Sequence, residues 1–355
     1  MDLRVVIAGG GTVGHLFPGI AIAQEFSASQ GAAVTFLTSP KAVTARILER
    51  YGFPWEVIAS RALKGQGLLS RVRTLCSLPG SVREAKARLR ALAPQLVLGM
   101  GGYASGPVGV AAYLLGIPLA IHEQNAIPGV ANRWLAKMAR RIFLSFPDAS
   151  GSYPQEKAVW TGNPIRPEFF GSQQRPALPF TVLIMGGSQG AHSLNLAALE
   201  ALPLLAELKE HLNFLHITGK EDREEVAAGY GQAGFAAEVA DFTPEVPAWM
   251  GRSHLAVCRA GASSLAELTA LGRAALLVPF PFAANNHQEF NARFLADAGA
   301  AELILNKDFT GEVLADKIKY FLGHPDTLKA MEAASRSLAK PDAAKEIVQG
   351  CMELL

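Results

Sequence analysis

The sequence Val5-Val6-Ile7-Ala8-Gly9-Gly10-Gly11-Thr12-Val13-Gly14-His15 contains the pattern that decides the fold. An apolar run ends in glycines, and an amphipathic segment, Leu16 to Phe26, follows it. This order predicts a buried strand, a turn that lets a phosphate approach the backbone, and a helix. Gly9, Gly11 and Gly14 also satisfy the G-x-G-x-x-G spacing of dinucleotide-binding folds.

The second predicted strand tests whether this turn binds a dinucleotide. In such folds a carboxylate about 20 residues further on, at the end of the second strand, holds the ribose of NAD. Here that strand, Ala33-Val34-Thr35-Phe36-Leu37, ends in Thr38-Ser39 and carries no carboxylate. The sequence therefore disfavours NAD, and we expect the turn to bind another phosphate-bearing ligand.

Apolar runs alternate with helical patterns along the whole chain and predict two parallel sheets. The second set restarts at residues 181–185, which run into Gly186-Gly187-Ser188-Gln189-Gly190 as the first strand runs into its glycines. Prolines between residues 162 and 179 predict the linker. We expect an α/β protein of two doubly wound Rossmann-like domains that face each other across a cleft. The predicted strands are residues 3–8, 33–38, 55–58, 95–98, 117–121, 141–144, 157–160, 181–185, 213–217, 236–240, 255–258, 275–279 and 301–304.

The composition is typical of a globular protein from a reducing compartment. Half of the 355 residues are apolar and 18% are charged. Three widely spaced cysteines, Cys76, Cys258 and Cys351, argue against a disulfide framework or a zinc site. The N-terminus shows no signal-peptide pattern, and the longest apolar run, residues 108–121, is shorter than the roughly 20 residues of a membrane span. We expect a protein that is soluble or lies on a surface.

Positive charge is concentrated in the first half of the chain. Residues 1–164 carry 17 Lys/Arg and 8 Asp/Glu, a net charge of +9, whereas the remainder carries −7. Within residues 61–90 basic side chains alternate with leucines. This pattern suits adsorption to an anionic membrane surface and equally an ordinary surface helix, while no motif supports nucleic acid. The basic residues are Arg61, Lys64, Arg71, Arg73, Arg83, Lys86, Arg88 and Arg90, and Glu84 is the one acid.

Two segments of the first half place turns or polar residues after predicted strands. Gly101-Gly102-Tyr103-Ala104-Ser105-Gly106-Pro107 predicts a second anion-binding turn, or tight packing of strand on helix. His122-Glu123-Gln124-Asn125 follows the strand at 117–121. Glu123 or His122 is a candidate for proton transfer and Asn125 for binding hydroxyls or an amide, although each alone also fits a loop hydrogen bond.

Two segments of the second half place polar residues at helix starts. In Cys258-Arg259-Ala260-Gly261-Ala262-Ser263-Ser264-Leu265-Ala266-Glu267, Ser263 or Ser264 would cap a helix whose N–H groups hold a diphosphate. Glu267, about one turn further, would accept two ribose hydroxyls, or would form a capping box with Ser264. Asn285-Asn286-His287-Gln288-Glu289 suits sugar hydroxyls or helix caps.

Several catalytic motifs are missing from the sequence. It contains no Asp-x-Asp pair, no His/Cys cluster, no G-x-S-x-G elbow and no Walker lysine. Metal catalysis is therefore unsupported, and we expect no metal and no other cofactor. Two nucleotide-binding folds without a metal or redox signature look like a glycosyltransferase of the two-Rossmann (GT-B) architecture.

Seven motifs stand in the order of one known family, and the chain resembles the MurG family, the lipid II synthases of bacterial peptidoglycan assembly. The resemblance spans nearly the whole chain. It implies transfer of N-acetylglucosamine (GlcNAc) from UDP-GlcNAc to the C4 hydroxyl of undecaprenyl-diphospho-MurNAc-pentapeptide (lipid I). The motifs are GGGTVGHLFPG (9–19), GGYASGP (101–107), HEQNAIPG (122–129), TGNPIR (161–166), GGSQGA (186–191), CRAGASSLAE (258–267) and NNHQEFNA (285–292).

The resemblance also implies a set of ligand contacts. Glu267 would hold the ribose, the backbone near Phe242 and Thr243 the uracil, and Gln288, with Asn291, the GlcNAc hydroxyls. Further donor contacts are implied for Thr12, Val13, Gly14, Asn125, Arg166, Ser188, Gln189, Gly261, Ala262, Ser263, Ser264, Leu265 and Ala266. The diphosphate of lipid I would lie against Gly11, Thr12, Gly14, Gly102, Tyr103, Ser105 and Gly106. The family usually has glycine where this chain has Val13, and more often threonine or another residue at Ser263 and Ser264.

The implied mechanism is an inverting single displacement through an oxocarbenium-like state. His15 is the leading candidate for the base that accepts the C4 proton, and Glu123 is the second. The helix that begins near residue 263 would stabilise the departing UDP in place of a metal. A lipid-linked acceptor gives the basic segment 61–90 a reason to meet an anionic membrane, so we expect a peripheral enzyme on the cytoplasmic face of the bacterial plasma membrane.

The resemblance predicts an acceptor and membrane-facing domain at 1–163, a UDP-GlcNAc-binding domain at 164–340, and a helix at 341–355 that packs back on the first domain. The alternatives from the sequence are a UDP-GlcNAc 2-epimerase, another GT-B transferase acting on a small aglycone or a glycolipid, and a regulator that binds a nucleotide sugar without catalysis.

Overall fold

The structure, a computed structural model, describes residues 3–10, 13–58, 68–148, 151–170, 178–187 and 190–355. It describes the backbone but not the side chains of Val13 and of residues 68–77. The chain forms two compact units. Unit 1 comprises Met1–Arg166 and Lys340–Leu355, and unit 2 comprises Pro167–Ala339. Of the predicted linker, residues 171–177 lie outside the described residues.

Unit 1 is built on a parallel sheet whose strand order is β3-β2-β1-β4-β5-β6-β7. The order reverses between β1 and β4, because β2 and β3 lie on one side of β1 and β4 to β7 lie on the other. The strands are β1 (Arg4–Ala8), β2 (Ala33–Thr38), β3 (Trp55–Val57), β4 (Leu96–Gly99), β5 (Leu119–Glu123), β6 (Arg141–Leu144) and β7 (Ala158–Trp160). The helices between them are α1 (Val13–Gln30), α2 (Ala42–Tyr51), α3 (Leu68–Leu92), α4 (Ser105–Leu114) and α5 (Val130–Leu135).

Helices cover both faces of this sheet. Side chains alternate along a strand, so Val5 and Ile7 of β1 enter one apolar cluster with α1 and α2, while Val6 and Ala8 enter a second cluster with α3, α4 and α5. All four side chains are at most 1% exposed. With both faces dry, the carboxyl edge of the sheet is where its loops and polar groups gather.

Unit 2 repeats this plan with the strand order β10-β9-β8-β11-β12-β13. The reversal lies between β8 and β11. The strands are β8 (Phe180–Met185), β9 (Leu212–Ile217), β10 (Ala236–Ala240), β11 (Leu255–Cys258), β12 (Ala274–Leu277) and β13 (Ala301–Leu303). The helices are α6 (His192–Ala201), α7 (Arg223–Ala233), α8 (Val246–Arg252), α9 (Ala262–Leu271), α10 (His287–Asp297), α11 (Gly311–Gly323) and α12 (Pro325–Ser337), with 3-10 helices at Pro167–Phe170, Pro203–His211 and Ala284–Asn286.

The two predicted doubly wound parallel sheets are confirmed, and each predicted strand corresponds to a strand of the structure. The main differences lie at strand ends. β5 continues through His122 and Glu123, which the sequence pattern placed in the following loop, because their backbones pair with Phe143 and Leu144 of β6. β12 ends at Leu277, two residues before the predicted end at 279.

The basic segment 61–90 is described only from residue 68 onward, and its side chains only from residue 78. The described part belongs to α3, a single helix of 25 residues that contains Pro79. Ala85 and Leu89 bury their side chains against the sheet, whereas Leu78 is 39% exposed. None of the helices in the described ranges combines the length and apolarity that crossing a membrane requires.

The last helix, α13 (Ala343–Met352), returns to unit 1 after the whole of unit 2. It packs on α1 and β6, and Ile347, Val348 and Cys351 are at most 2% exposed within the cluster of α1 and α2. The last helix of the chain therefore packs in the same apolar cluster as the first strand, β1.

This packing predicts that Ile347→Ala lowers the free energy of unfolding by about 2–4 kcal/mol, because the truncation leaves a cavity in a closed core. Denaturant unfolding followed by circular dichroism measures the change. Gln349→Ala, on the exposed side of the same helix, is the control and should change stability by less than about 0.5 kcal/mol. Equal losses in the two variants would show that α13 does not contribute to the core.

Candidate active site

The strand reversal of unit 1 places two glycine turns side by side. One turn follows β1 and the other follows β4, and these strands are neighbours in the sheet. Gly102 has φ +79°, and a Cβ at this position would lie 2.8 Å from the carbonyl oxygen of Gly10. Only glycine fits this backbone conformation and this close approach without strain. The carboxyl edge of a doubly wound sheet binds ligands at such a reversal, so these turns form the candidate site of unit 1.

His15 lies at the same place, on the first turn of α1. A Cβ at Gly101 would lie 3.6 Å from His15 Nε2, and one at Gly102 would lie 3.7 Å from His15 Nδ1. The imidazole therefore packs over the second glycine turn, and its half-buried side chain faces the site at the strand reversal.

The HEQN motif is more deeply buried than a loop would be. His122, Glu123 and Gln124 are 0%, 3% and 2% exposed. The prediction that these residues form a loop after the strand is wrong for His122 and Glu123, which lie in β5. They remain beside the reversal, because β5 is the neighbour of β4.

The Glu123 carboxylate holds the segment that follows β5. Oε1 accepts a hydrogen bond from the backbone N–H of Asn125 at 3.0 Å. Oε2 accepts one from the N–H of Gly129 at 3.0 Å and one from Asn132 Nδ2 at 2.9 Å. Burial raises the pKa of Glu123, while these hydrogen bonds act in the opposite direction. The carboxylate thus fixes the conformation of residues 125–129, which carry Asn125.

His122 is held in its neutral form. Gln124 Nε2 lies 3.0 Å from Nδ1 and donates to it, which leaves the proton on Nε2, 3.2 Å from the carbonyl oxygen of Gly162. Burial lowers the pKa of His122 from 6.5 to about 4, and the nearby His15 acts in the same direction. A neutral, fully buried imidazole is a structural group here, whereas the His15 side chain is half-buried.

The remaining predicted acceptor residues divide into accessible and structural groups. Tyr103 is 38% exposed and Gly106 is half-buried at the start of α4. Ser105 is fully buried, and its Oγ accepts a hydrogen bond from the N–H of Gly101 at 3.3 Å, so its side chain shapes the turn. Gly11 and Thr12 lie outside the described residues, as does the side chain of Val13.

Unit 2 has an equivalent pair of turns at its own strand reversal. Residues 186–191 follow β8, residues 259–261 follow β11, and the two strands are neighbours. Gly190 has φ +75°, and a Cβ there would overlap the carbonyl oxygen of Thr218. Asn195 Nδ2 donates a hydrogen bond to that same oxygen at 2.9 Å and so holds the carbonyl against which Gly190 lies. Ser188 and Gln189, both predicted to contact the donor, lie outside the described residues.

The helix after the second turn begins earlier than the sequence predicts. α9 starts at Ala262, and the extended residue Gly261 is its N-cap, with no side-chain cap hydrogen bond. The expectation that Ser263 or Ser264 caps the helix is wrong, and so is the alternative of a capping box, because both serines lie inside the first turn. The N–H groups of this first turn face outward from the helix end and favour an anion.

Glu267 lies on the second turn of α9 and is 8% exposed. Its charge contributes to raising the pKa of the Cys258 thiol to about 12, although burial is the larger cause. The carboxylate therefore lies close to the end of β11. The side chains of Leu265 and Ala262 are 1% and 7% exposed, so only their backbones could meet a ligand, whereas Ala266 is half-buried.

Other predicted donor residues lie on neighbouring segments of the same edge of unit 2. Phe242 follows β10 and is 68% exposed, whereas Thr243 is 8% exposed and its Oγ1 accepts the N–H of Glu245 at 3.1 Å. Gln288, in the first turn of α10, accepts the N–H of Phe280 on Oε1 at 2.9 Å, which orients its amide. Asn291 is fully buried and donates to the carbonyl oxygen of Ala260 at 3.1 Å, so it links α10 to the turn before α9.

Asn125 and Arg166, both predicted to contact the donor, belong to unit 1. Asn125 is half-buried and lies in the segment that Glu123 holds. The guanidinium carbon of Arg166 lies 4.7 Å from the ring centroid of Phe17 on α1, so the side chain packs near the first glycine turn.

Sequence reasoning assigned no role to several residues that build these sites. Asn132, the third residue of α5, binds Glu123, and Asn195 binds the Thr218 carbonyl oxygen that Gly190 lies against. Arg259 lies inside the quoted CRAGASSLAE motif and connects several segments of unit 2. A buried amide on the core face of a helix is a sequence signal for such supports, because buried polar groups need partners.

Comparison with known proteins also divides the chain into two parts. The model of the glycosyltransferase family 28 N-terminal domain matches residues 5–144, and that of the family 28 C-terminal domain matches residues 181–347. A UDP-N-acetylglucosamine–N-acetylmuramyl-(pentapeptide) pyrophosphoryl-undecaprenol N-acetylglucosamine transferase from Syntrophus aciditrophicus is 44% identical, with 100% of this chain and 99% of the relative covered. The transferase of the same name from Anaeromyxobacter sp. strain Fw109-5 is 45% identical over 99% of this chain and 94% of its own.

The chain belongs to the MurG family. A crystal structure of Acinetobacter baumannii MurG superimposes with a TM-score of 0.82 at 31% identity and covers 99% of this chain and 100% of its own. The predicted GT-B fold, the assignment as a UDP-GlcNAc-dependent glycosyltransferase and the predicted family are therefore confirmed. A UDP-GlcNAc 2-epimerase from Neisseria meningitidis, solved with UDP-GlcNAc, superimposes with a TM-score of 0.70 at 14% identity, a likeness of fold alone.

The burial of His122 predicts a pH dependence of stability. Its pKa is 6.5 when unfolded and about 4 when folded, so the unfolded chain takes up the proton first as the pH falls. This stabilising contribution is complete above about pH 6.5 and is lost as the pH falls toward 4. Denaturant unfolding of His122→Gln should show a weaker loss of stability across this range than the parent protein. His211→Gln, at an exposed position, is the control, and its free energy of unfolding should depend on pH as that of the parent does. If His122→Gln also kept the parent pH dependence, the buried neutral state of His122 would be contradicted.

Proposed function

We propose that the two strand reversals divide the substrates of the MurG reaction between the two units. Unit 2 holds UDP-GlcNAc at the turns after β8 and β11, and unit 1 holds the diphosphate of lipid I at the turns after β1 and β4. The enzyme transfers GlcNAc to the C4 hydroxyl of the lipid I muramyl sugar and makes lipid II and UDP. The observation that carries this proposal is the pair of adjacent glycine turns at the same topological position in each unit.

The donor assignment follows from the chemistry of the unit 2 turns. The first-turn N–H groups of α9 carry partial positive charge and receive the diphosphate, which makes UDP a better leaving group without a metal. Glu267, one turn further, accepts the ribose hydroxyls, and the backbone at Phe242 and Thr243 receives the uracil. Gln288 reads the GlcNAc hydroxyls from α10, whose first turn is tied to Phe280.

The acceptor assignment follows from the position of His15. In the transfer, the C4 oxygen of the muramyl sugar forms a bond to the anomeric carbon of GlcNAc, and the bond from that carbon to the diphosphate breaks with its electron pair leaving on UDP. The C4 proton must pass to a base. His15 lies over the glycine turn that receives the acceptor diphosphate, and histidine has an ordinary pKa close to neutral pH. Glu123 has both carboxylate oxygens occupied by Asn125, Gly129 and Asn132, so its part is to hold the loop.

The roles of His15 and Glu123 predict different pH profiles. UDP release from UDP-GlcNAc should require a soluble lipid I analogue and should yield a β1,4-linked disaccharide. His15→Ala should lower kcat by about 100-fold or more and remove the acidic limb of the profile, because a general base typically contributes that much. Glu123→Gln should lower kcat but keep the fall in kcat at low pH that the parent enzyme shows.

Three results would contradict these roles. UDP release at the same rate without acceptor would exclude the transferase and favour an epimerase, whose fold this chain shares. Near-normal turnover by His15→Ala would remove His15 from the base role. Loss of the acidic limb in Glu123→Gln alone would transfer that role to Glu123. Circular dichroism of each variant establishes that the fold is retained.

Unit 1 also has a surface that suits the membrane in which a polyprenyl-linked acceptor resides. Leu78, Pro79, Val82, Arg83, Lys86 and Arg90 of α3 line a groove of about 490 Å³. Apolar side chains next to basic ones allow shallow insertion together with attraction to anionic lipids. The enzyme therefore works as a peripheral protein on the cytoplasmic face of the bacterial plasma membrane, where UDP-GlcNAc is present, and needs no nucleic acid partner.

This surface predicts vesicle binding that depends on lipid charge. Arg83→Gln with Arg90→Gln should weaken binding to vesicles containing anionic phosphatidylglycerol by about tenfold or more, since each basic residue near such a surface contributes about 1 kcal/mol. Cosedimentation with the vesicles measures the partition coefficient. Lys209→Gln with Lys329→Gln, two exposed lysines of unit 2, removes the same charge and should bind as the parent does. Equal weakening in both pairs, or undiminished binding to neutral vesicles, would contradict a specific role of α3.

A further inference from the structure

Arg259 occupies the centre of a hydrogen-bonded cluster at the strand reversal of unit 2. It is the first residue after β11 and is half-buried. Nη1 donates to the carbonyl oxygens of Val278 at 3.0 Å and Pro279 at 3.2 Å, and to Asn306 Oδ1 at 2.8 Å. Nη2 donates to Ser193 Oγ at 2.8 Å, and that hydroxyl donates in turn to Asn306 Oδ1 at 2.8 Å.

These contacts join four segments at the sheet edge, one of which carries Asn306, three residues after β13. Ser193 is the second residue of α6, directly after the 186–191 turn. Arg259 itself lies two residues before Gly261, the N-cap of α9. The carbonyls of Val278 and Pro279 lead into Phe280, whose N–H holds Gln288. One guanidinium therefore fixes the spacing between the starts of α6 and α9 and the segment that orients Gln288.

The chemistry of the cluster requires arginine. The donors of a planar guanidinium form a rigid fork that reaches acceptors on several sides, whereas the ammonium of lysine is a compact point charge on a flexible stem. The acceptors that the described residues supply are carbonyl, amide and hydroxyl oxygens, all uncharged. The guanidinium carbon of Arg259 also lies 5.7 Å from the ring centroid of Phe280, within the range of a cation–π contact.

We propose that Arg259 is a positioning residue for the donor diphosphate, and that it acts through Ser193 and Asn306 by setting the distance between the N-termini of α6 and α9. The inference rests on the proposed assignment of UDP-GlcNAc to unit 2. Two helix ends address the two phosphates of one diphosphate only when their spacing is fixed, so a change in this spacing weakens diphosphate binding more than nucleoside binding. Misplacement of a binding group by a fraction of an ångström is enough to lower activity.

The test is equilibrium binding of UDP and of uridine to the full-length protein, with thermal unfolding measured in parallel. Arg259→Lys keeps the positive charge and should raise the Kd for UDP by about tenfold, while the Kd for uridine changes by less than about twofold. Ser193→Ala should raise the Kd for UDP by a few-fold. Both substitutions break one hydrogen-bond network. The Kd for UDP in the double variant, Arg259→Lys with Ser193→Ala, should therefore rise by less than the product of the two single rises.

Steady-state kinetics give a second readout. Arg259→Lys should raise KM for UDP-GlcNAc and leave KM for the lipid I analogue near the parent value. The control is Arg252→Lys, in which an exposed arginine that pairs with Glu238 at 3.0 Å is changed in the same way. It should leave both ligand affinities and both KM values unchanged.

The outcomes separate this inference from the proposed function. Failure of the parent protein to bind UDP would overturn the donor assignment itself. Parent-like UDP affinity in Arg259→Lys would overturn the positioning role while leaving the donor assignment intact. Equal losses of UDP and uridine affinity, with a large fall in Tm, would show a purely structural residue. Strictly multiplicative effects of Arg259→Lys and Ser193→Ala would show that Arg259 does not act through Ser193.

Discussion

Glycine in the turns after the reversing strands is the constraint on which both sites depend, because Gly102 in unit 1 and Gly190 in unit 2 each lie against a backbone carbonyl oxygen. A parallel sheet covered on both faces leaves its carboxyl edge as the place for polar chemistry, and the reversal of strand order opens that edge between two neighbouring strands. In unit 1 this gap is lined by the turns of Gly10 and Gly102, and in unit 2 by those of Gly187 and Gly261. A side chain at Gly102 would collide with the Gly10 carbonyl, so glycine is required there, and a turn without side chains suits the phosphate that we propose for it.

Around each pair of turns, the buried polar side chains act mainly on the protein itself. Glu123 holds the 125–129 segment, Asn195 holds the carbonyl of Thr218, and Asn291 ties α10 to Ala260. Each has its hydrogen bonds made within the fold, which avoids the cost of an unsatisfied polar group in a dry environment. Buried side chains thus hold the turns or the segments beside them through hydrogen bonds. This arrangement suits an enzyme that stabilises a leaving diphosphate with preorganised backbone groups.

Much of this fold could be predicted from the sequence, because the apolar runs of the strands and the glycines that follow them are local patterns. Apolar runs such as Val5 to Ala8 and Thr181 to Met185, each followed by glycines, define strand, turn and helix without knowledge of distant residues. The limits of β5 could not be predicted in this way. His122 and Glu123 are polar and read as loop, yet they pair with β6 because Gln124, Gly162, Asn125, Gly129 and Asn132 satisfy their side chains. The start of α9 could not be predicted from the serines either. Gly261 adopts the extended N-cap conformation, so the helix begins at Ala262 without a side-chain cap.

The return of α13 to unit 1 has a consequence for the order in which the protein folds during synthesis. Unit 2 is one continuous stretch of chain and can complete its core as soon as it has left the ribosome. Unit 1 cannot, because Ile347, Val348 and Cys351 fill one face of a sheet whose first strand is made more than three hundred residues earlier. Until those last turns of helix emerge, the apolar surface of α1 lacks part of its cover. The nascent chain therefore carries an incomplete first unit through the synthesis of the whole second one.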